Sequence, residues 1–417
     1  METIYYKLNP WWQKKEFEAG IERKRYLEAL IPLFNRRQIN VIIGSRRIGK
    51  TTILKQLIKN LLEKNGVKAE EILYLELDHP QLVKTPVSEH LKKFRKQFMH
   101  SSDKKLFLFL DEIQESPDWE RELKSIYDVE NVKMVCTGST SSLIKSQGGK
   151  LTGRQIVTPI YPLTFGEFLS FRNVSLDMRE DYKYERMVEE YLNIGGYPEN
   201  VLSPSDDYLN NLVESIIARD MVRLYHIKKP YILKDLLKLI ASSVGTRISY
   251  SKLGRVLSTD PDTIKEYIEY FRSAFLVEIL EKWTTSYNEK VYASKKIYLM
   301  DTGIKTLLTG TEDIGFKSEN VVFLQLLREK AEDIGYYVEG QKEIDFVVGR
   351  YKTPQIVEVK YVSNLEWQDK RLQGVKLFLR KHPNIKSLTI VTRDTQKRFK
   401  EDKIDVQMIP LWKMLLS

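Results

Sequence analysis

Residues Asn40-Val41-Ile42-Ile43-Gly44-Ser45-Arg46-Arg47-Ile48-Gly49-Lys50-Thr51-Thr52 decide how this chain is read. Gly44 to Thr51 satisfies G-x-x-x-x-G-K-[ST] in full, after a short apolar run and before the helix-compatible stretch Thr52–Leu62. Glycine lets such a loop curl until successive N–H groups point inward at phosphate oxygens. A helix starting near Lys50 adds the positive end of its dipole. In this pattern Lys50 reaches the β- and γ-phosphates and the Thr51 hydroxyl coordinates Mg²⁺. The expected cradle is Gly44, Ser45, Arg46, Arg47, Ile48, Gly49, Lys50, Thr51 and Thr52.

Outward from the loop, Arg25 to about Pro162 alternates apolar runs with amphipathic segments, the pattern of an α/β fold with a helix-covered parallel sheet. The expected strands are Ile39–Ile43, Ile72–Leu77, Leu106–Leu110 and Val132–Thr137. The third runs into Asp111-Glu112, and ligands bind at the carboxyl ends of such strands. Asp111 would hold the hydration shell of Mg²⁺ and Glu112 would polarise the attacking water. The structural alternative is an N-cap Asp with a first-turn Glu. The fourth run ends in Thr137 and Ser139, hydroxyls suited to the γ-phosphate or the lytic water, with Cys136 as a small core residue.

Composition narrows the partners. The 417 residues include 67 Lys plus Arg against 57 Asp plus Glu, a net charge of +10 that favours an anionic partner. A lone cysteine excludes an intrachain disulfide and a Cys-cluster metal site and fits a reducing, cytoplasmic setting. No window approaches the apolar length of a membrane span, and the first residues lack a signal-peptide core.

A helical stretch is expected from Phe165 to about Leu224, broken at Gly195-Gly196-Tyr197-Pro198. From Tyr231 to about Asp301 come three helix-sized segments and two strand-like runs, Leu276–Trp283 and Lys296–Met300, which suggest a winged helix-turn-helix. Its candidate recognition helix, Asp262–Phe275, mixes Lys265 and Arg272 with Asp262, Glu266 and Glu269, a poor face for reading base edges in the major groove. The last region, from about Glu319, reads helix, three strands, helix, strand and a helix-like tail. There Ser318-Glu319-Asn320 opens a helix, Glu343-Ile344-Asp345-Phe346 lies in a strand and Val357-Glu358-Val359-Lys360 in the next. Strand alternation puts Glu358 and Lys360 on one face, and a hairpin through Lys352–Pro354 brings Asp345 beside Glu358. Oxygen ligands from Glu319, Asp345 and Glu358 suit Mg²⁺ or Mn²⁺, with Lys360 orienting water. Lys397-Arg398-Phe399-Lys400 reads as a solvated basic face.

Asn9-Pro10-Trp11-Trp12, G-S-R-R-I-G-K-T, F-L-D-E-I-Q, T-G-S-T-S-S-L, Leu151-Thr152-Gly153-Arg154 and Tyr161–Leu169 together resemble the AAA+ ATPase domain of a prokaryotic, especially archaeal, group. The acid–lysine set resembles the PD-(D/E)XK nuclease superfamily, in a C-terminal domain of DUF4143 type that follows the ATPase and winged helix in that group. These resemblances imply four regions: an ATPase core over 1–165, a helical lid over 166–228, a winged helix over 229–305 and a nuclease-like domain over 306–417. They imply ATP bound with Mg²⁺ and hydrolysed at Lys50, Thr51, Asp111 and Glu112. They also imply Arg154 or Arg219 as an arginine finger or sensor, homo-oligomer assembly, and DNA rather than RNA as partner in repair, recombination or defence. Asp345, Glu358 and Lys360 would carry metal-dependent cleavage, with Glu319 a further metal ligand. The alternative is a nucleotide-switched scaffold or regulator whose C-terminal domain binds nucleic acid or protein without cutting.

Overall fold

The computed structural model describes residues 3–138, 151–175, 180–310, 313–329, 333–340, 342–349 and 354–416. Ser139 and Lys352 lie outside them. The chain forms two compact units, Met1–Tyr161 with Arg219–His226, and Pro162–Ala218 with Ile227–Ser417.

The first unit is built on a parallel sheet of β1 (Ile39–Gly44), β2 (Ile72–Glu76), β3 (Leu106–Asp111), β4 (Val132–Gly138) and β5 (Gln155–Ile160), in the order β2-β3-β4-β1-β5. β1, β3 and β4 are buried at every position, which is why they read as continuous apolar runs rather than alternating ones. Before and between these strands come α1 (Thr3–Leu8), α2 (Lys24–Leu30), α3 (Lys50–Lys64), α4 (Val87–Phe98) and α5 (Trp119–Val129). Four of the five strands match the sequence expectation. β5 escaped it because Gln-Ile-Val-Thr-Pro-Ile is only partly buried and contains Pro159, which an edge strand tolerates.

The opposite edge, β2, is closed by the Asn-Pro-Trp-Trp motif. The buried Asn9 side chain donates to the Tyr74 carbonyl at 3.0 Å and accepts from the Tyr74 N–H at 2.7 Å, imitating a neighbouring strand. The Trp12 indole donates to the Ile72 carbonyl at 2.9 Å. An edge that would otherwise offer free backbone groups is thereby covered.

The second unit opens with helices Phe165–Phe171 and Asp181–Ile194. Helices Pro230–Ser242, Tyr250–Val256 and Pro261–Ser273 then accompany a three-stranded antiparallel sheet. That sheet has the order β6 (Arg247–Ile248), β8 (Lys295–Leu299), β7 (Val277–Leu280). On helix Pro261–Ser273 Phe271 is fully buried, and Arg272 is held by Glu278 at 2.5 Å. Helix Ile314–Arg328 precedes a six-stranded mixed sheet of β9 (Gly335–Glu339), β10 (Lys342–Val348), β11 (Gln355–Val359), β12 (Ser387–Thr392), β13 (Lys397–Glu401) and β14 (Ile404–Pro410). Two expectations change here. Glu319 sits in the second turn of its helix, not at its start, because Asp313 and not Ser318 precedes the first turn. The basic run Lys397–Lys400 is a solvated face as expected, carried on edge strand β13, whose cations keep that edge from pairing. The tail is mostly strand β14, with only a single helical turn, Leu411–Met414, after it.

Asn9→Ala strands a buried N–H and a buried carbonyl on β2. At about 1–3 kcal/mol for each unsatisfied group, a loss of roughly 2–5 kcal/mol is expected in urea unfolding. A change below about 0.5 kcal/mol would refute the edge-closing role.

Candidate functional site

β1 delivers the chain into the loop, and close packing fixes where its glycines stand. A Cβ on Gly44 would sit 2.7 Å from the Ile160 carbonyl oxygen of neighbouring β5. Gly49 has φ 97°, a conformation that side chains resist, and α3 begins at the next residue. Lys50 is buried there, its ammonium donating to the Gly44 and Ser45 carbonyls at 3.2 and 3.0 Å. Burial pushes the Lys50 ammonium below its ordinary pKa, with Glu112 and Asp111 pulling the other way.

Asp111, 3% exposed at the end of β3, gathers the site. Thr51 Oγ1 donates to its Oδ2 at 2.6 Å, and the Tyr74 hydroxyl donates to the same oxygen at 3.0 Å. Thr137 Oγ1 donates to Oδ1. Burial raises the Asp111 carboxyl, while the Thr137, Thr51 and Tyr74 hydroxyls work to lower it. Hydroxyl and carboxylate oxygens meeting at the loop are the hard donors that Mg²⁺ takes, so the residues present fit that ion. Glu112 adopts φ 51°, which turns its side chain out of the strand line, where Gln114 donates to it. Its N–H donates to Thr137 Oγ1 at 3.1 Å. Thr137 is therefore committed to Asp111 and Glu112, fully buried, and is corrected from a phosphate-facing hydroxyl to a group that holds the two acids.

Arg154 is also corrected. It directly precedes β5, its carbonyl accepting from Ile39 N–H at 2.8 Å, so it lies at the amino end of the sheet, opposite the loop. Its guanidinium pairs with Asp128 at 3.1 Å and lies over the Tyr127 ring. It is no contact of the same chain's phosphate loop. Sequence reasoning missed Tyr74, hidden in an apolar run, and Asp220. The latter accepts two bonds of 2.8 Å from the fork of Arg46 inside the loop. Nothing in the sequence ties positions so far apart.

A second constellation lies in the other unit. Register Phe346↔Val357 sets Asp345 opposite Glu358. Asp345 N–H donates to Glu358 Oε2 at 3.1 Å, and Val359 N–H donates to Asp345 Oδ2 at 2.8 Å. Lys360 Nζ lies 2.6 Å from Glu358 and 3.7 Å from Asp345. Lys296, which sequence reasoning did not single out, reaches Glu343 at 2.6 Å, Glu319 at 3.0 Å and Asp345 at 3.9 Å. Tyr298 donates to Glu319 at 2.6 Å. Burial, and after it the Asp345 charge, pushes Glu319 and Glu358 up to about 7. Burial lowers the two ammoniums, yet the acids outweigh it and hold both above their ordinary value. The structure thus brings Glu319, Asp345, Glu358 and Lys360 together. Among the described residues, however, no three acid, His or Cys side chains are grouped to hold a metal ion. Two lysines, Lys296 and Lys360, stand among the acids.

Asp220→Asn removes a negative charge facing the phosphate loop and frees the Arg46 fork. Titration with a fluorescent ATP analogue should show Kd lowered about threefold to tenfold, equivalent to roughly 0.6–1.4 kcal/mol. Unchanged or weaker binding would remove Asp220 from the site.

Residues 36–169 match the family model described as an AAA domain. Residues 185–314 and 314–414 match domains of unknown function, DUF8612 and DUF4143. An uncharacterized protein of Haemophilus influenzae is 28% identical over 359 residues, covering 82% of this chain and 88% of its own. An uncharacterized protein of Methanocaldococcus jannaschii is 27% identical over 406 residues, covering 91% of this chain and 88% of its own. Among solved structures, AMPPCP-bound DnaA from Aquifex aeolicus aligns at 19% identity over 61% of this chain and 89% of its own, TM-score 0.28. The Hsp104–ADP complex of S. cerevisiae aligns at 17% identity over 64% of this chain and 40% of its own, TM-score 0.35. The chain carries an AAA-type, P-loop ATPase-like domain followed by a DUF4143 domain.

Proposed function

We propose that this chain binds ATP with Mg²⁺ at Gly44–Thr51 and hydrolyses it, working on DNA. The observation that carries the reading is the 2.6 Å contact of Thr51 Oγ1 with Asp111, which sets a hydroxyl and a carboxylate beside the phosphate loop. Thr51 and Asp111 are the residues that would hold Mg²⁺, which would supply neutralisation of the charge on the phosphates. The protein's own groups do the rest. Lys50 exchanges the Gly44 and Ser45 carbonyls for phosphate oxygens, recovering the stabilisation its buried ammonium lacks. Glu112, fixed through its backbone by Thr137, orients the lytic water. Arg46 offers its fork to the phosphates in exchange for Asp220.

The net charge of +10 supports DNA as the partner. The lone, buried Cys136 supports a reducing cytoplasm, and among the described residues no helix is long and apolar enough to cross a membrane. In a homo-oligomer the exposed Arg219 is the better placed arginine finger, since Arg154 is already paired. The four-part division, with a lid over 166–228, a winged helix over 229–305 and a nuclease-like domain over 306–417, is supported by the three helices and small sheet, and by the mixed sheet beyond. Metal-dependent cleavage at Glu319, Asp345, Glu358 and Lys360 needs the acids free to face one ion, and here they are committed to lysines, Tyr298 and backbone amides. That commitment favours the regulator reading for the C-terminal domain, which binds without cutting while ATP turnover switches the chain.

Lys50→Ala should lower ATP turnover by about 100-fold or more, and Glu112→Gln should do so while keeping nucleotide affinity. Wild-type turnover in Lys50→Ala would end the assignment. Supercoiled plasmid incubated with wild-type protein in Mg²⁺ or Mn²⁺ should remain intact. Nicking that Asp345→Asn abolishes would restore the nuclease reading.

A further inference from the structure

We propose that Lys296 is a built-in cation that occupies the C-terminal carboxylate cluster in place of a divalent metal. This deepens the non-cleaving reading of the domain and rests on it. Lys296 is 0% exposed, an unusual place for an ammonium on a chain with ample surface. It stands on β8, the middle strand of the small sheet, two residues from Tyr298, and both side chains reach the same acid, Glu319. Its three-proton head lies between Glu319 and Glu343, with Asp345 Oδ1 3.9 Å away. Arg247 takes the other oxygen of Glu343 at 3.1 Å, and Lys360 serves Glu358 and Asp345 from its own side. Four carboxylates therefore meet three cations and a phenol, and the charge that would recruit a metal ion is largely offset from within the chain.

The source of the cation gives the arrangement its meaning. Lys296 falls in the stretch matched by the DUF8612 model, whereas Glu319, Glu343, Asp345, Glu358 and Lys360 fall in the stretch matched by DUF4143. The preceding domain thus inserts a positive charge among acids that the following domain supplies. Burying an ammonium is tolerable only while those acids surround it, and the acids tolerate burial only while it is there. Withdrawing Lys296 would remove the cation that lies between Glu319, Glu343 and Asp345 and open the space of its ammonium to a divalent ion, whose ligands are hard oxygen donors of this kind. Lys296 is in this sense a positioning residue that keeps the cluster closed to metal.

Mn²⁺ binding to the full-length protein, counted by electron paramagnetic resonance of the free ion without nucleotide, tests this. Wild type and Asp345→Asn should bind equally, Lys296→Met should gain an equivalent of Mn²⁺, and Lys296→Met/Asp345→Asn should lose it again. Lys296→Arg should gain none. The inference is overturned if wild type already holds an ion that Asp345→Asn releases, or if folded Lys296→Met gains nothing. Should Lys296→Met melt early in metal-free buffer, circular dichroism in rising Mn²⁺ decides. Recovery of the melting temperature supports the replacement, and failure at every concentration overturns it. A wild-type Asp345-dependent Mn²⁺ site without plasmid nicking would end this inference and leave the non-cleaving reading standing. Nicking by wild type would end that reading itself.

Discussion

One buried carboxylate, that of Asp111, accepts the hydroxyls of Thr51 from α3, Tyr74 from β2 and Thr137 from β4. A charge so deeply withdrawn from water is tolerable only with donors on its oxygens, and here they come from three separate elements. The helix carrying the lysine, the edge strand held by Asn9 and the strand that fixes Glu112 are thus tied at one point. The sheet order β2-β3-β4-β1-β5 makes this possible, since it sets β3 between β2 and β4 and leaves the loop after β1 one strand away.

Much of this was legible beforehand, for reasons that differ by element. The phosphate loop is local: strand, glycines, lysine and helix start lie within a few residues, so spacing alone specifies them. Buried parallel strands are continuous apolar runs, and four of five stood out. β5, half-buried and interrupted by Pro159, had no such run to show. The partners of the site were hidden because their meaning is created by folding. Tyr74 looks like one more aromatic in a strand, and Asp220 reaches Arg46 across a long stretch of sequence.

The C-terminal cluster teaches the complementary lesson. The order Glu319, Asp345, Glu358, Lys360 suggested a constellation, and the hairpin register does bring the last three together. What the order of acids could not convey was the lysine from a different segment. The chemistry of an acid cluster depends as much on the charges inserted among its members as on the members themselves. Lys296 alternates with Tyr298 on an ordinary-looking strand, and only the burial of both reveals their target.

The composition of the first unit has a practical corollary. Arg219–His226 packs with Met1–Tyr161 although Pro162–Ala218 separates them along the chain. A polypeptide truncated after the last strand of the parallel sheet would contain every signature of a nucleotide-binding domain yet lack the acid that clasps its own loop. Such a fragment would leave the Arg46 guanidinium without its buried counterion, and its affinity for nucleotide would describe an amputated site instead of the intact one.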